Sequence, residues 1–262
     1  MPTALTIAGS DSSAGAGVQA DLKTFAAHGV YGTCAITAVT AQNTVGVRLV
    51  HELPPDVVTA QIEAVADDIE IQAVKIGMLA GPAIAGAVAA SLRRHAWGAV
   101  VLDPVMTAGR GGRLLSAEAF DVVRTELLAL ALVVTPNAGE AAALAGMEVA
   151  TVADARQAAA RIRALGPRAV VVKGGHLRED EAVDVLLDET GYVELRGPRV
   201  IAGPAHGTGC TFAAAIAANL ALGSALRPAV EQAKRYVAAA LGRGLSVGRG
   251  HHPLDHFWAH HR

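Results

Sequence analysis

The 262-residue sequence predicts an α/β fold, with a central, mostly parallel sheet and helices on both faces. Three observations lead there. Short apolar runs of strand length alternate with longer helical patterns at regular spacing, as repeated βα units require. Hydrophobic residues make up 52% of the chain and aromatics only 3%, so packing rests on alanine and valine, which let helices lie close against a sheet. No linker, internal repeat or low-complexity tract interrupts the pattern, so residues 1–262 read as a single domain.

Taken in order, Thr3 to Ala8 is a short buried strand ending at Gly9-Ser10-Asp11-Ser12-Ser13-Ala14-Gly15-Ala16-Gly17, and Val18 to Ala27 is helical. The turn holds neither Gly-x-Gly-x-x-Gly nor a Walker lysine, so it reads as a hydrogen-bonding loop for a small polar ligand or as a plain βα connection. Tyr31 to Thr40 alternates small and β-branched residues as a strand does and ends at Ala41-Gln42-Asn43-Thr44. Pro54 and Pro55 start a helix to about Ile69, with Asp56 in its first turn. Val74 to Ile76 is a strand, Pro82 opens a helix towards His95, and Ala99 to Leu102 is a strand finishing on Asp103-Pro104. Gly109 to Arg113 is a basic loop, and Ser116 caps a helix to about Leu130. Leu132 to Thr135 is the next strand, running into Pro136-Asn137-Ala138-Gly139-Glu140 and a short helix. Thr151 to Leu165 is amphipathic, and Ala169 to Val172 is a buried strand ending on Lys173-Gly174-Gly175-His176. Val183 to Leu187 and Tyr192 to Leu195 form a hairpin, and the apolar run Thr211 to Leu222 is a buried helix.

Composition also excludes function classes. A net charge of −2 offers no electrostatic footprint for nucleic acid or an anionic membrane. No apolar stretch reaches bilayer length; Ala213 to Leu222 is too short and carries Asn219. Met1 to Ala8 has no basic residues before it and does not read as a signal peptide. Cys34 and Cys210 stand far apart with no metal spacing, so a reduced, cytoplasmic protein is expected.

The chemistry gathers at strand ends. Gly9 to Asp11, Gln42, Asp103, Asn137 with Glu140, Lys173 and the turn at 207–210 all follow apolar strands, and ligands of open α/β sheets bind at those ends. His206-Gly207-Thr208-Gly209-Cys210 opens directly into a helix, whose first N–H groups are unpaired and make an anion site. Asp103 and Glu140 suit Mg²⁺, the ion that bridges a nucleotide's phosphates, and Lys173 suits phosphate charge. Cys210 at a helix N-terminus is expected to have a lowered pKa, fitting a base that takes a proton from an attacking hydroxyl.

Ala8-Gly9-Ser10-Asp11-Ser12-Ser13, Gln19-Ala20-Asp21-Leu22-Lys23-Thr24, Ala41-Gln42-Asn43-Thr44, Lys75-Ile76-Gly77-Met78-Leu79, Val101-Leu102-Asp103-Pro104-Val105-Met106, Thr135-Pro136-Asn137, Lys173-Gly174-Gly175-His176 and His206-Gly207-Thr208-Gly209-Cys210-Thr211 closely resemble the hydroxymethylpyrimidine/phosphomethylpyrimidine kinases of thiamine biosynthesis. The resemblance runs in order along nearly the whole chain. It implies a ribokinase-like, three-layer α/β/α fold and ATP with Mg²⁺ as cofactors. It also implies two phosphorylations at one site, of 4-amino-5-hydroxymethyl-2-methylpyrimidine and then of its monophosphate. By motif, Cys210 is the catalytic residue and Gly207, Thr208 and Gly209 the anion hole. Asn137, Lys173 and Thr208 meet ATP phosphates, while Asp103 and Glu140 serve the metal. Gln42 reads the pyrimidine, since a carboxamide offers a donor and an acceptor side by side. Gly9 and Asp21 surround the hydroxymethyl group. Val105 and Met78 pack on the ring, although Met78 equally suits ordinary core packing.

Where the family often carries Lys-Ser-Gly-Asp, this chain has Gly109-Arg110-Gly111-Gly112, which leaves Arg110 or Arg113 to substitute for the lysine. The resemblance also suggests a homodimer joined through an exposed apolar strand edge. Two alternatives accompany the lead reading: a pyridoxal or pyridoxine kinase of the same lineage, and a non-catalytic pyrimidine-binding regulator. His252, His256 and His260 have a helical spacing compatible with a divalent metal, against the simpler reading of a structural tail.

Overall fold

The computed structural model describes residues 1–107, 115–175, 177–200 and 205–260. Six parallel strands form the centre of its main sheet: β1 (Thr3–Asp11), β2 (Tyr31–Asn43), β4 (Ala73–Ile76), β5 (Val100–Leu102), β6 (Val133–Val134) and β7 (Ala169–Val172). Antiparallel strands close both edges. These are β3 (Gly46–Glu52) beside β2, and the hairpin of β8 (Ala182–Asp188) and β9 (Gly191–Gly197) beside β7. The order is β3-β2-β1-β4-β5-β6-β7-β8-β9. Strand order therefore reverses at β1, and a crevice opens between the carboxyl ends of β1 and β4.

Helices cover both faces, as the sequence predicts. The core of one face joins the sheet to α2 (Pro55–Ala66), α3 (Pro82–His95), α4 (Ala117–Val122), α5 (Ala138–Ala145) and α6 (Val152–Arg163). The core of the other joins it to α1 (Gly17–Ala27), α7 (Thr208–Ala221) and α8 (Leu226–Gly242). With both faces covered, β4 to β7 are buried at every residue, which is why they read as unbroken apolar runs. Helix α7 is buried from Thr211 to Asn219, and its alanines let it lie close between the sheet and its neighbours α1 and α8. Asn219 is accommodated there by donating to the Ala215 carbonyl at 2.8 Å. The Ser116 hydroxyl accepts from the Ala119 N–H as the expected cap of α4. The helical path then runs through a π turn and a 3-10 turn to Leu130.

Three regions differ from the sequence reading. Strand β1 continues through Gly9 to Asp11 because β2 also runs on, so that Ser10 and Asp11 pair with Val39 and Thr40 after an irregularity at Ala8/Ser10. Strand β3 and helix α8 lack the apolar runs that mark the other elements: β3 is exposed from Arg48 to Glu52, and α8 buries only a stripe. The histidine spacing does not become a helix. His252 lies in β11 (His252–Pro253), paired with β10 (Ala205–His206), while His256 sits in a turn with its ring 3.1 Å from the Thr211 hydroxyl. Burial lowers the His256 pKa to about 4, so the ring is a neutral packing group. Among the described residues no cluster of three or more His, Cys, Asp or Glu is placed to hold a metal ion. No helix among them is long and apolar enough to cross a membrane. The basic loop Gly109 to Arg113 and His176 lie outside the described residues.

Candidate active site

A cavity of about 550 Å³ opens at the carboxyl ends of the parallel strands. Gly9, Gln42, Met78, Asp103, Val105, Asn137, Glu140, Lys173 and the turn Gly207 to Cys210 all line it, so one crevice gathers what the sequence placed at separate strand ends.

The turn is built as an anion site. Gly207 precedes α7 with φ +89, and a side chain there would run into the Gly15 carbonyl oxygen, so only glycine fits. The first i→i−4 bond of α7 runs from Thr211 N–H to Gly207 O at 2.9 Å. The N–H groups of Thr208, Gly209 and Cys210 thus precede the helical ladder, at the positive end of a 14-residue helix.

Charged groups surround that helix start. The Lys173 ammonium lies 2.8 Å from Asp103 Oδ1, and Thr135 Oγ1 donates to the same oxygen at 3.2 Å. Lys173 is carried by the end of β7, where its N–H donates to Pro136 O and a parallel bridge joins it to Asn137. Asn137 and Glu140 form a capping box on α5: Asn137 Oδ1 accepts from Glu140 N–H at 2.9 Å, and Glu140 Oε2 accepts from Asn137 N–H at 2.8 Å. Burial pushes the Glu140 carboxyl up to about 7. Lys173 opposes that shift, and the negative charge of Asp103 adds to it. Burial works against the Lys173 charge, but Asp103 and Glu140 outweigh it and raise its pKa. Asp103 and Glu140 thus both act on the Lys173 ammonium.

Cys210 departs from expectation. Its pKa is raised to about 11, not lowered. Burial is the largest cause, Lys75 opposes it, and Asp21 and Asp103 add to it, while a bond from the Gly17 N–H lowers it. The loss of water and two nearby carboxylates outweigh Lys75 and the Gly17 N–H.

Asp21 is the second correction. Its side chain is fully buried and is not among the residues that line the cavity. Instead Asp21 Oδ2 accepts from Lys75 Nζ at 2.8 Å and from Thr6 Oγ1 at 2.6 Å. Lys75, which does line the cavity, is the residue the motif contained and the sequence reading passed over. Burial disfavours its ammonium, but Asp21, with Cys210 and Asp103, lifts its pKa above the usual lysine range and holds it charged.

At the acceptor end, Met78 and Val105 pack in a small apolar cluster with Ala38 and Ala80, beside Gly9. The Gln42 carboxamide nitrogen lies 2.8 Å from His206 Nε2, and that ring nitrogen lies 2.9 Å from Asp11 Oδ2. His206 and Asp11 also line the cavity. Only a polar residue flanking each glycine turn signalled them in sequence, because their pairing spans 195 positions. Both cysteines are free thiols.

The comparisons agree with this architecture. The profile of the family described as phosphomethylpyrimidine kinase matches residues 11–255. The hydroxymethylpyrimidine/phosphomethylpyrimidine kinase of Rhizobium meliloti is 50% identical over 258 residues, covering 97% of this chain and 96% of that one. The thiamine biosynthesis bifunctional protein ThiED of Geobacter sulfurreducens is 46% identical over 97% of this chain, which spans about half (52%) of that longer protein. Among solved structures, the ADP complex of Bacillus subtilis pyridoxal kinase superposes with a TM-score of 0.91 at 38% identity, covering 99% of both chains. A parallel α/β sheet of this topology, a glycine turn at a helix start opening on the same cavity as the other strand ends, and a family match over most of the length converge on one assignment: the chain belongs to the phosphomethylpyrimidine kinase family.

Proposed function

We propose that the chain is an ATP-dependent kinase that phosphorylates 4-amino-5-hydroxymethyl-2-methylpyrimidine and then its monophosphate to the diphosphate. The observation that carries this reading is that the phosphate end (Gly207 to Cys210, Lys173, Asp103) and the acceptor end (Gly9, Gln42, Met78) open on one cavity. In each transfer an acceptor oxygen attacks the γ-phosphorus and the bond to the ADP oxygen breaks. For the alcohol, the hydroxyl proton passes to Cys210 in its thiolate form, the minor form at neutral pH, whose own proton has first left to solvent. Lys173 and the N–H groups of Thr208 to Cys210 stabilise charge on the moving phosphoryl group.

Mg²⁺ belongs to the same reading; bound there, it would supply the positive charge that neutralises phosphate oxygens. Asp103 and Glu140 would hold it, with Asn137 towards the phosphates. Magnesium needs only one or two carboxylates besides phosphate and water, and Asp103 and Glu140 supply two on the cavity wall. Because Glu140 must be ionised to bind metal, the apparent Mg²⁺ affinity is expected to rise with pH through about 7 and level off above it. A Mg²⁺ titration of wild type and Glu140→Gln from pH 6 to 8 checks this; an equal slope in the two proteins would take Glu140 out of the metal site.

A single kinase domain over residues 1–262, a cytoplasmic location and a homodimer complete the proposal. The exposed β3 edge, with Leu49 at 58% and Val50 at 42% exposure, supports the dimer contact.

Pyridoxal kinase activity is the second reading, favoured by the likeness to the Bacillus subtilis enzyme. A binding regulator is disfavoured, because Cys210, Asp103 and Lys173 are all retained and gathered. The deciding experiment is an assay of the purified protein with ATP and Mg²⁺ against the pyrimidine alcohol, its monophosphate and pyridoxine. Transfer to both pyrimidines, with kcat/KM for the alcohol at least about tenfold above pyridoxine, is expected. No transfer to either pyrimidine would overturn the reading.

A further inference from the structure

Gln42, His206 and Asp11 come from the ends of β2, β10 and β1 and meet at the acceptor end of the cavity. The hydrogen-bond inventory of this contact has one self-consistent solution. Asp11 is ionised: burial raises its carboxyl, but bonds from His206 and Ser13 prevail and its pKa falls below the usual range. An ionised carboxylate only accepts, so the ring nitrogen 2.9 Å from it, His206 Nε2, carries a proton. A protonated Nε2 has no lone pair left to accept from an amide N–H 2.8 Å away. The Gln42 carboxamide must therefore turn its oxygen to His206 and its nitrogen to the opposite side.

Thr40 accommodates that turn. Its single hydroxyl proton is committed to the Ser10 carbonyl at 2.9 Å, which leaves Thr40 Oγ1, 3.3 Å from the Gln42 amide, to accept one amide hydrogen. With the single Nε2–H of His206 shared between Asp11 Oδ2 and the Gln42 oxygen, every polar atom of the chain Asp11–His206–Gln42–Thr40–Ser10 has a compatible partner, and one amide N–H of Gln42 remains for the cavity. The reverse orientation sets two donors or two acceptors against each other at His206.

We propose that the Asp11–His206 pair fixes the polarity of Gln42, so that the carboxamide presents an N–H donor to the acceptor substrate and His206 acts as a positioning residue for substrate choice. The preferred acceptors are heteroaromatic alcohols that offer Gln42 an unprotonated ring nitrogen, with an exocyclic amine beside it to meet the amide oxygen. This rests on Gln42 as the pyrimidine reader. It goes further in assigning the sense of that recognition and the groups that set it.

Two measurements test it. Long-range proton–nitrogen NMR of the ligand-free wild type, with the His206 signals assigned by their loss in His206→Gln, reads which ring nitrogen bears the proton. Protonated Nε2 is expected, and a bare Nε2 would overturn the proposal whatever the substrate. In steady-state kinetics, His206→Gln should raise KM for the pyrimidine alcohol about tenfold and cut the preference for it over pyridoxine about tenfold, with KM for ATP within about twofold. Gln42→Leu should lose the same preference without adding to the effect of His206→Gln in the double variant. An unchanged preference in a folded His206→Gln protein would also overturn the proposal. A wild type that transfers to neither pyrimidine would fail the kinase reading instead, and the NMR result would still stand on its own.

Discussion

Cys210→Ala is expected to lower kcat about 100- to 10,000-fold, the range that a single general base contributes, while KM for ATP and for the pyrimidine alcohol changes only a few-fold. The reason lies in where the thiol sits. It stands at the start of α7, accepts from the Gly17 N–H at the start of α1, and lies close enough to Lys75 to feel its charge. With a pKa of about 11 the resting thiol is protonated at neutral pH, so Cys210 is not a standing thiolate. The reacting form is therefore the minor thiolate fraction, whose own proton has first left to solvent, because only a deprotonated sulfur can take the hydroxyl proton. The same pKa gives a sign. Below about 11 the thiolate fraction grows tenfold per pH unit, so log kcat of the wild type should climb with pH from 7 to 9. Cys210→Ala should flatten that climb. Steady-state rates of both proteins across this range check both statements, and near-normal turnover in the variant would remove Cys210 from the mechanism.

The parts of this site that were legible in sequence share a physical basis. Asp103, Lys173 and the 207–210 turn each follow a run of buried apolar residues, and a parallel sheet covered on both faces must send such strand ends to one edge. Periodicity alone therefore placed them together. The charge state of Cys210 was not legible, because it depends on Asp21 and Asp103, which approach it from other strands and helices. The helix-start argument sees only the local backbone. The resemblance places Asp21 at the hydroxymethyl group, but α1 aims it inward to the Lys75 ammonium on β4. Strand β3 escaped notice because an edge strand exposed from Arg48 to Glu52 has no buried face to impose a pattern. The link between Asp11 and His206 is long-range and polar, and no hydrophobic periodicity reports such a pair.

The Asp21–Lys75 pair carries the second large effect. Both side chains are at 0% exposure, and 2.8 Å separates ammonium from carboxylate. Removing one partner of such a pair leaves an uncompensated buried charge, so Asp21→Ala should cost about 3–5 kcal/mol of stability. That corresponds to a fall in Tm on the order of 10 °C for a chain of this size. The pH dependence follows from the direction of the shift. In the wild type the folded Lys75 pKa is raised, so its contribution is complete below the unfolded lysine value and is lost only as pH rises through the higher folded one. Without Asp21, burial is expected to depress the folded Lys75 pKa below its unfolded value. The unfolded chain then binds the extra proton, and the deficit of Asp21→Ala should shrink as pH approaches about 10. The double variant Asp21→Leu/Lys75→Met separates structure from catalysis. An apolar pair of similar volume should recover most of the lost stability, since the pair's Coulomb energy is largely spent on desolvation. Turnover should stay low, because the variant removes both the Lys75 ammonium that lowers the Cys210 pKa and the Asp21 carboxylate that raises it, and the ammonium has the larger effect. Thermal melts and kcat measured on the same preparations decide it: recovery of both would make Lys75 a packing device, and recovery of stability alone would make it the charge that readies Cys210 to receive a proton.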